Sequence, residues 1–214
     1  MRPLSDCRLY GILDASYCPK DLMPDMLAAM ISGGVHIVQL RAKGWSPDDI
    51  ITTAKSLHPL TKAAGVPFVI NDHPAAARAA GVEGAHVGQD DLSIAEARQL
   101  AGPGIFIGKS THSLAQAHAA FAEGADCIGF GPLFATPTKP DYQPIGTLDI
   151  RSVNSNPPVP VFCIGGINLL TLPSVLAAGA HRVVIVSAIL SAPNPSAYSR
   201  TCLNLIESSP IPEI

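Results

Sequence analysis

The chain has 214 residues, 47% of them apolar and 14% charged, a balance that excludes intrinsic disorder and allows a core held without disulfide or metal staples. Lys plus Arg number 14 against 17 for Asp plus Glu, a net charge of -3, which argues against a nucleic-acid surface and gives no reason to expect a polybasic membrane contact. No apolar run approaches the ~18–20 residues of a membrane span, and Met1-Arg2-Pro3-Leu4-Ser5-Asp6 does not read as a signal peptide. Cys7, Cys18, Cys127, Cys163 and Cys202 are odd in number, scattered and without a CxxC pair. Reduced thiols in a cytoplasmic protein are expected, not a disulfide framework or a zinc site.

In chain order, short β-branched runs alternate with Ala-rich helical stretches. A strand at 8–13 precedes a helix at 22–32, a strand at 35–40 a helix at 47–64, and a strand at 67–71 a helix at 75–80. The alternation continues with strand 84–87 and helix 94–101, strand 105–109 and helix 114–123, then strand 126–131 and helix 147–151. Strand 159–164 leads to helix 169–178, and strand 181–186 to a last helix at 196–208. Ser46, Ser93, Ser113 and Asn168 stand where N-caps belong. Gly33-Gly34-Val35, Gly65-Val66-Pro67, Gly124-Ala125-Asp126 and Gly179-Ala180-His181 suit the left-handed turns that end helices.

Strands alternating with helices imply parallel pairing and right-handed crossovers. Eight such units, about 27 residues each, fit an α/β fold of one domain: a (β/α)8 TIM barrel with a parallel eight-stranded core over 1–208. The tail at 209–214 is expected to fray. A doubly wound sheet would show a Gly-rich phosphate loop after its first strand, and Asp14-Ala15-Ser16-Tyr17 is not one. A proline-bearing loop from Leu133 to Thr147 has the length and place of a lid.

In such a barrel, chemistry sits where strands end. Strand two ends in Gln39-Leu40-Arg41-Ala42-Lys43, so alternation puts Gln39, Arg41 and Lys43 on one face. Two cations and an amide together suit a phosphate or pyrophosphate, although a solvated charged loop has the same composition. Asn71-Asp72 ends strand three, and Gly88-Gln89-Asp90-Asp91 follows strand four. Neighbouring strands lie ~4.8 Å apart, so Asp72 and Asp91 can share one Mg2+; Asp90 equally suits a helix N-terminus. Strand five leads into Lys109-Ser110-Thr111-His112, where Ser110 can donate to a phosphate and His112 is an acid, a base or a lining group. Thr136, Thr138 and Lys139 follow strand six, and Ile164-Gly165-Gly166-Ile167-Asn168 and Val186-Ser187-Ala188-Ile189 end strands seven and eight. Backbone N–H groups bared by glycine there form an anion cradle, where barrels commonly hold a phosphate. Two anionic substrates meeting across one barrel mouth suggest a transferase.

These segments, in this order, resemble the thiamine-phosphate synthase family, from Gln39-x-Arg41-x-Lys43 and Asn71-Asp72 to Ile164-Gly165-Gly166-Ile167 and Val186-Ser187-Ala188-Ile189. The resemblance implies that hydroxymethylpyrimidine diphosphate is joined to hydroxyethylthiazole phosphate through a pyrimidinyl methyl cation, giving thiamine phosphate and pyrophosphate. It implies Mg2+ on Asp72 and Asp91. It assigns the pyrimidine diphosphate to Gln39, Arg41, Lys43, Asn71, Ser110 and Lys139. Of these, Arg41, Lys43, Ser110 and Lys139 would act catalytically. Thr136, Thr138, Gly166, Val186 and Ser187 would seat the thiazole phosphate. The partners implied are two phosphorylated small molecules, with neither nucleic acid nor membrane, and a homo-oligomer stays open.

One departure is Lys109, where many synthases carry a small apolar residue, so that Gly-Lys-Ser-x-His-Ser is similar to the related thiazole tautomerases. That alternative would make His112 a proton carrier. A second alternative is an inactive barrel that only binds a phosphorylated ligand.

Overall fold

The structure is a computed structural model that describes residues 1–136 and 143–209. Its strands are short and almost wholly buried, as a parallel sheet covered on both faces requires. They are β1 (Leu9–Asp14), β2 (Ile37–Arg41), β3 (Phe68–Asn71), β4 (Gly84–Val87), β5 (Phe106–Thr111), β6 (Cys127–Phe130), β7 (Val161–Cys163) and β8 (Val183–Ile185). Each pairs in parallel with the next, and β8 closes back on β1, so the expected barrel is the observed one.

The barrel has two apolar layers because side chains alternate along a strand. Tyr10 and Ile12 turn inward, where they pack with Ile37, Val69, Cys127, Phe162 and Val184. Tyr10 meets Phe162 edge to face, ring centroids 5.3 Å apart. Leu9 and Leu13, on the other face, join the larger layer between barrel and helices.

That outer layer is supplied by α1 (Met23–Ser32), α2 (Pro47–Ala63), α3 (Pro74–Ala80), α4 (Ile94–Ala101), α5 (Leu114–Ala122), α6 (Ile150–Val153), α7 (Leu172–Ala177), α8 (Ser187–Leu190) and α9 (Pro195–Ser208). Three of the expected caps are in place. Ser46 accepts from the Asp49 N–H, Ser113 from the Gln116 N–H, and Ser93 forms a capping box with Glu96. The fourth differs: α7 starts at Leu172, and the Asn168 side chain closes the preceding turn by accepting from the Leu170 and Thr171 N–H groups. The four-residue α8 is a helix where the sequence suggests only a loop. One turn cannot display a helical period. Among the described residues no helix is long and apolar enough to cross a membrane.

Of the loop from Leu133 to Thr147 expected as a lid, 137–142 lie outside the described residues, and of the tail at 209–214 expected to fray, 210–214 do.

Candidate active site

The C-terminal strand ends surround a cavity of about 510 Å³. Register determines which groups meet there. Asp14 sits opposite Arg41, Asn71 opposite His86, and Ser110 opposite Gly129.

Gln39 and Arg41 both line the cavity, as the alternation along β2 requires. Gln39 is buried and its Nε2 donates to the Tyr10 hydroxyl at 2.8 Å. Burial holds the Tyr10 phenol well above its usual pKa, more than the Gln39 hydrogen bond lowers it, so it stays protonated. The Arg41 guanidinium is not a free cation. Its Nη1 donates to Asp14 Oδ2 at 2.6 Å, and Asp14 is fully buried. The other Asp14 oxygen accepts from the Ser16 N–H at 2.8 Å. Asp14 therefore fixes the plane of Arg41 while offsetting its charge.

Lys43 lies beyond the cavity lining, with a side chain 54% exposed and its Nζ 2.7 Å from Asp72 Oδ2. Both cations of the strand-two motif thus hold a carboxylate. Asp72 follows β3 with φ 62, a left-handed conformation unusual for a residue with a Cβ, and its N–H donates to the His86 carbonyl at 2.8 Å. Asp91 is exposed on the loop after β4, where its Oδ2 accepts from the Gly88 N–H at 2.7 Å. Among the described residues no group of three or more His, Cys, Asp or Glu could hold a metal. Asp72 and Asp91 follow successive strands, and Mg2+ takes one or two carboxylates and fills its shell with water and substrate phosphate, so the donor types are those it would use.

Asn71 and Ser110 line the cavity. Ser110 Oγ is 3.0 Å from His86 Nε2, and its carbonyl accepts from the Gln89 side chain. His112 also lines the wall; its Nδ1 donates to the Gly131 carbonyl, which puts the proton on that nitrogen in the neutral ring. Lys109, in contrast, turns away from the cavity and is 7% exposed. Across the cavity stand Thr136, Gly166, Val186 and Ser187. Gly166 has φ +65, and a Cβ there would lie 2.7 Å from that of Phe134, so only glycine fits. Thr138 and Lys139 lie outside the described residues.

The sequence missed Asp14, Tyr10 and His86. Asp14 closes β1, and its place at a strand end is the signal that marks it. His86 stands between Gly84 and Gly88 in the alternation of β4, a polar group on an otherwise glycine face. Cys127 also lines the cavity, and burial pushes its thiol up to about 12, so it stays neutral.

The pattern of the thiamine monophosphate synthase (TMP-TENI) family matches residues 9–189, which run from the first residue of β1 to α8. The chain belongs to that family. A thiamine-phosphate synthase of Chloroflexus aurantiacus is 40% identical over 202 residues, 94% of this chain and 93% of that one. One from Shouchella clausii is 38% identical over 203 residues, 94% of this chain and 97% of that one. Among solved structures, a thiamine phosphate pyrophosphorylase from Pyrococcus furiosus superposes with a TM-score of 0.87 at 28% identity, over 95% of this chain and 96% of that one. A 3-hexulose-6-phosphate synthase from Salmonella typhimurium shares only the fold, with a TM-score of 0.72 at 16% identity, over 95% of this chain and all of that one.

Proposed function

We propose that this barrel is a thiamine-phosphate synthase, a transferase that joins a hydroxymethylpyrimidine diphosphate to a hydroxyethylthiazole phosphate and releases pyrophosphate. The observation that carries the reading is the polarity of one cavity. Arg41 lines it from the end of β2, with Lys43, Asp72 and Asp91 outside the lining after β2, β3 and β4, and glycine backbone with Thr136 and Ser187 lines it from β6, β7 and β8. Its size suits two small heterocycles.

Asp72 and Asp91 would hold Mg2+, which when bound offsets the charge of the diphosphate and draws electrons from the leaving oxygen. The remaining chemistry belongs to the protein. Gln39, Asn71 and Ser110 orient the pyrimidine and its diphosphate. Arg41, held in place by Asp14, faces an oxygen that gains charge as the C–O bond stretches, so it stabilises the transition state more than the ground state. Lys43 reaches the same anion from the exposed side, and Lys139 completes the set. The bond breaks with its electron pair on the diphosphate, and the thiazole nitrogen lone pair closes the new C–N bond on the methylene carbon. No protein nucleophile is needed. Thr136, Thr138, Gly166, Val186 and Ser187 seat the thiazole phosphate. The apolar walls from Ile12, Ile128 and Phe162 keep water from the cation, and a neutral Cys127 does not compete for it.

The test is pyrophosphate release with each substrate alone and with both, followed by mass spectrometry of the product. Release only with both, and one thiamine phosphate per pyrophosphate, is expected. An isomerised thiazole without pyrophosphate would establish the tautomerase instead, and binding without chemistry would leave a sensor.

A further inference from the structure

Lys109 is a lysine that the reaction does not use, yet it is buried at 7% exposure. A buried ammonium is costly unless its donors are satisfied. Among the described residues no carboxylate lies in ion-pair range of it. Its partners are instead two backbone carbonyls, Gly88 at 2.8 Å and Leu92 at 3.2 Å. Register explains the reach. Lys109 pairs with Val87, the last residue of β4, so its side chain rises beside the loop that β4 opens. The two carbonyls are the first and last of that loop, and one cation closes it like a clasp.

The loop is 88–92, and it carries Asp91. Gly88 is its hub. Its carbonyl accepts from Lys109, and its N–H donates to Asp91 Oδ2 at 2.7 Å. A Cβ on Gly88 would lie 2.7 Å from that same carboxylate oxygen, so the carboxylate packs directly against the glycine backbone. The carbonyl of the next β5 residue, Ser110, accepts from the Gln89 side chain. Both ties run from consecutive β5 residues.

We propose that Lys109 is a positioning residue for Asp91. Its ammonium fixes the 88–92 loop to β5 before any ligand arrives, so the carboxylate is presented without an ordering cost at binding. The assignment rests on the reading above that Asp91 serves the divalent cation.

The test is Lys109→Met, which keeps the packed stem and removes the donors. Amide hydrogen exchange is followed on the protein without metal or substrate. Exchange of the Gly88 N–H, which donates to Asp91, should accelerate about 10-fold or more while β4 and α4 keep their protection. The Mg2+ concentration at half-maximal rate should rise about 10-fold, as loss of a group supporting a metal ligand does, with the KM for thiazole phosphate changed less than about twofold. A folded variant with unchanged loop exchange overturns the proposal, as does a loss shared equally between both substrates. Should the variant not fold, wild-type exchange decides. Protection of the Gly88 N–H comparable to β5 is expected, and the rate of an unprotected amide overturns it. The two readings fail separately. A wild type that releases no pyrophosphate sinks the synthase, and an active variant with an unaltered loop sinks the role of Lys109.

Discussion

Asp14→Asn should weaken both the fold and the reaction, because one buried carboxylate serves two donors. Arg41 Nη1 and the Ser16 N–H approach its two oxygens at 2.6 and 2.8 Å. An asparagine of the same shape offers one acceptor, so one donor is abandoned and the guanidinium loses its counter-charge. At an effective dielectric of ~20 the gross attraction at this separation is about 6 kcal/mol, much of it offset by desolvation. Breaking a buried pair from one side costs ~3–5 kcal/mol, and the retained hydrogen bond places Asp14→Asn near the lower end. For a chain of this length ~3 kcal/mol lowers Tm by roughly 6–12 °C. Freed from its plane, Arg41 no longer faces the leaving oxygen, and kcat should fall by about 100-fold. Thermal unfolding and pyrophosphate release measure the two effects. A variant within about 1 kcal/mol of wild type and with wild-type kcat would refute the claim that Asp14 orients Arg41.

Arg41→Ala should lower kcat more than it raises KM for the diphosphate; an effect on KM alone would mean uniform binding. Gly88→Ala should raise the Mg2+ requirement without altering the KM for thiazole phosphate, because the new methyl displaces the Asp91 carboxylate; a thiazole-specific defect would contradict this. His36 accepts from the Arg8 N–H through Nδ1, and burial, with Arg2, Arg8 and Arg200 nearby, pushes its pKa from 6.5 down to about 4. The unfolded ring takes up its proton first, so this contribution to stability is complete above pH 6.5 and is lost as the pH falls toward 4. His36→Asn keeps an acceptor that does not titrate, and Tm should then fall less steeply across that window; an unchanged slope would contradict the assignment.

The barrel was legible because each strand is a separate apolar run and each helix has a local stop. Ser46, Ser93 and Ser113 mark starts that the structure keeps. The last two strands are shorter than their apolar runs, since at 159–164 and 181–186 only three residues each find ladder partners. In the site, strand-end reading reached Gln39, Arg41, Asn71, Ser110, Gly166 and Ser187, all of which line the cavity. It did not reach the partners. Asp14 is 27 residues from Arg41, and the two meet only through the β1–β2 register. Lys109 stood out as an odd residue, but its acceptors are backbone carbonyls, which no side-chain pattern records.

In the proposed reaction, the pairing of Asp72 and Asp91 on one divalent cation is the central requirement. Its most direct test is a Mg2+ titration of thiamine phosphate formation by wild type and by the Asp72→Ala, Asp91→Ala double variant, with the fold of each checked by circular dichroism. Saturable product formation in wild type, and none at any Mg2+ concentration in a folded double variant, is the expected result. Wild-type turnover by the double variant would contradict it.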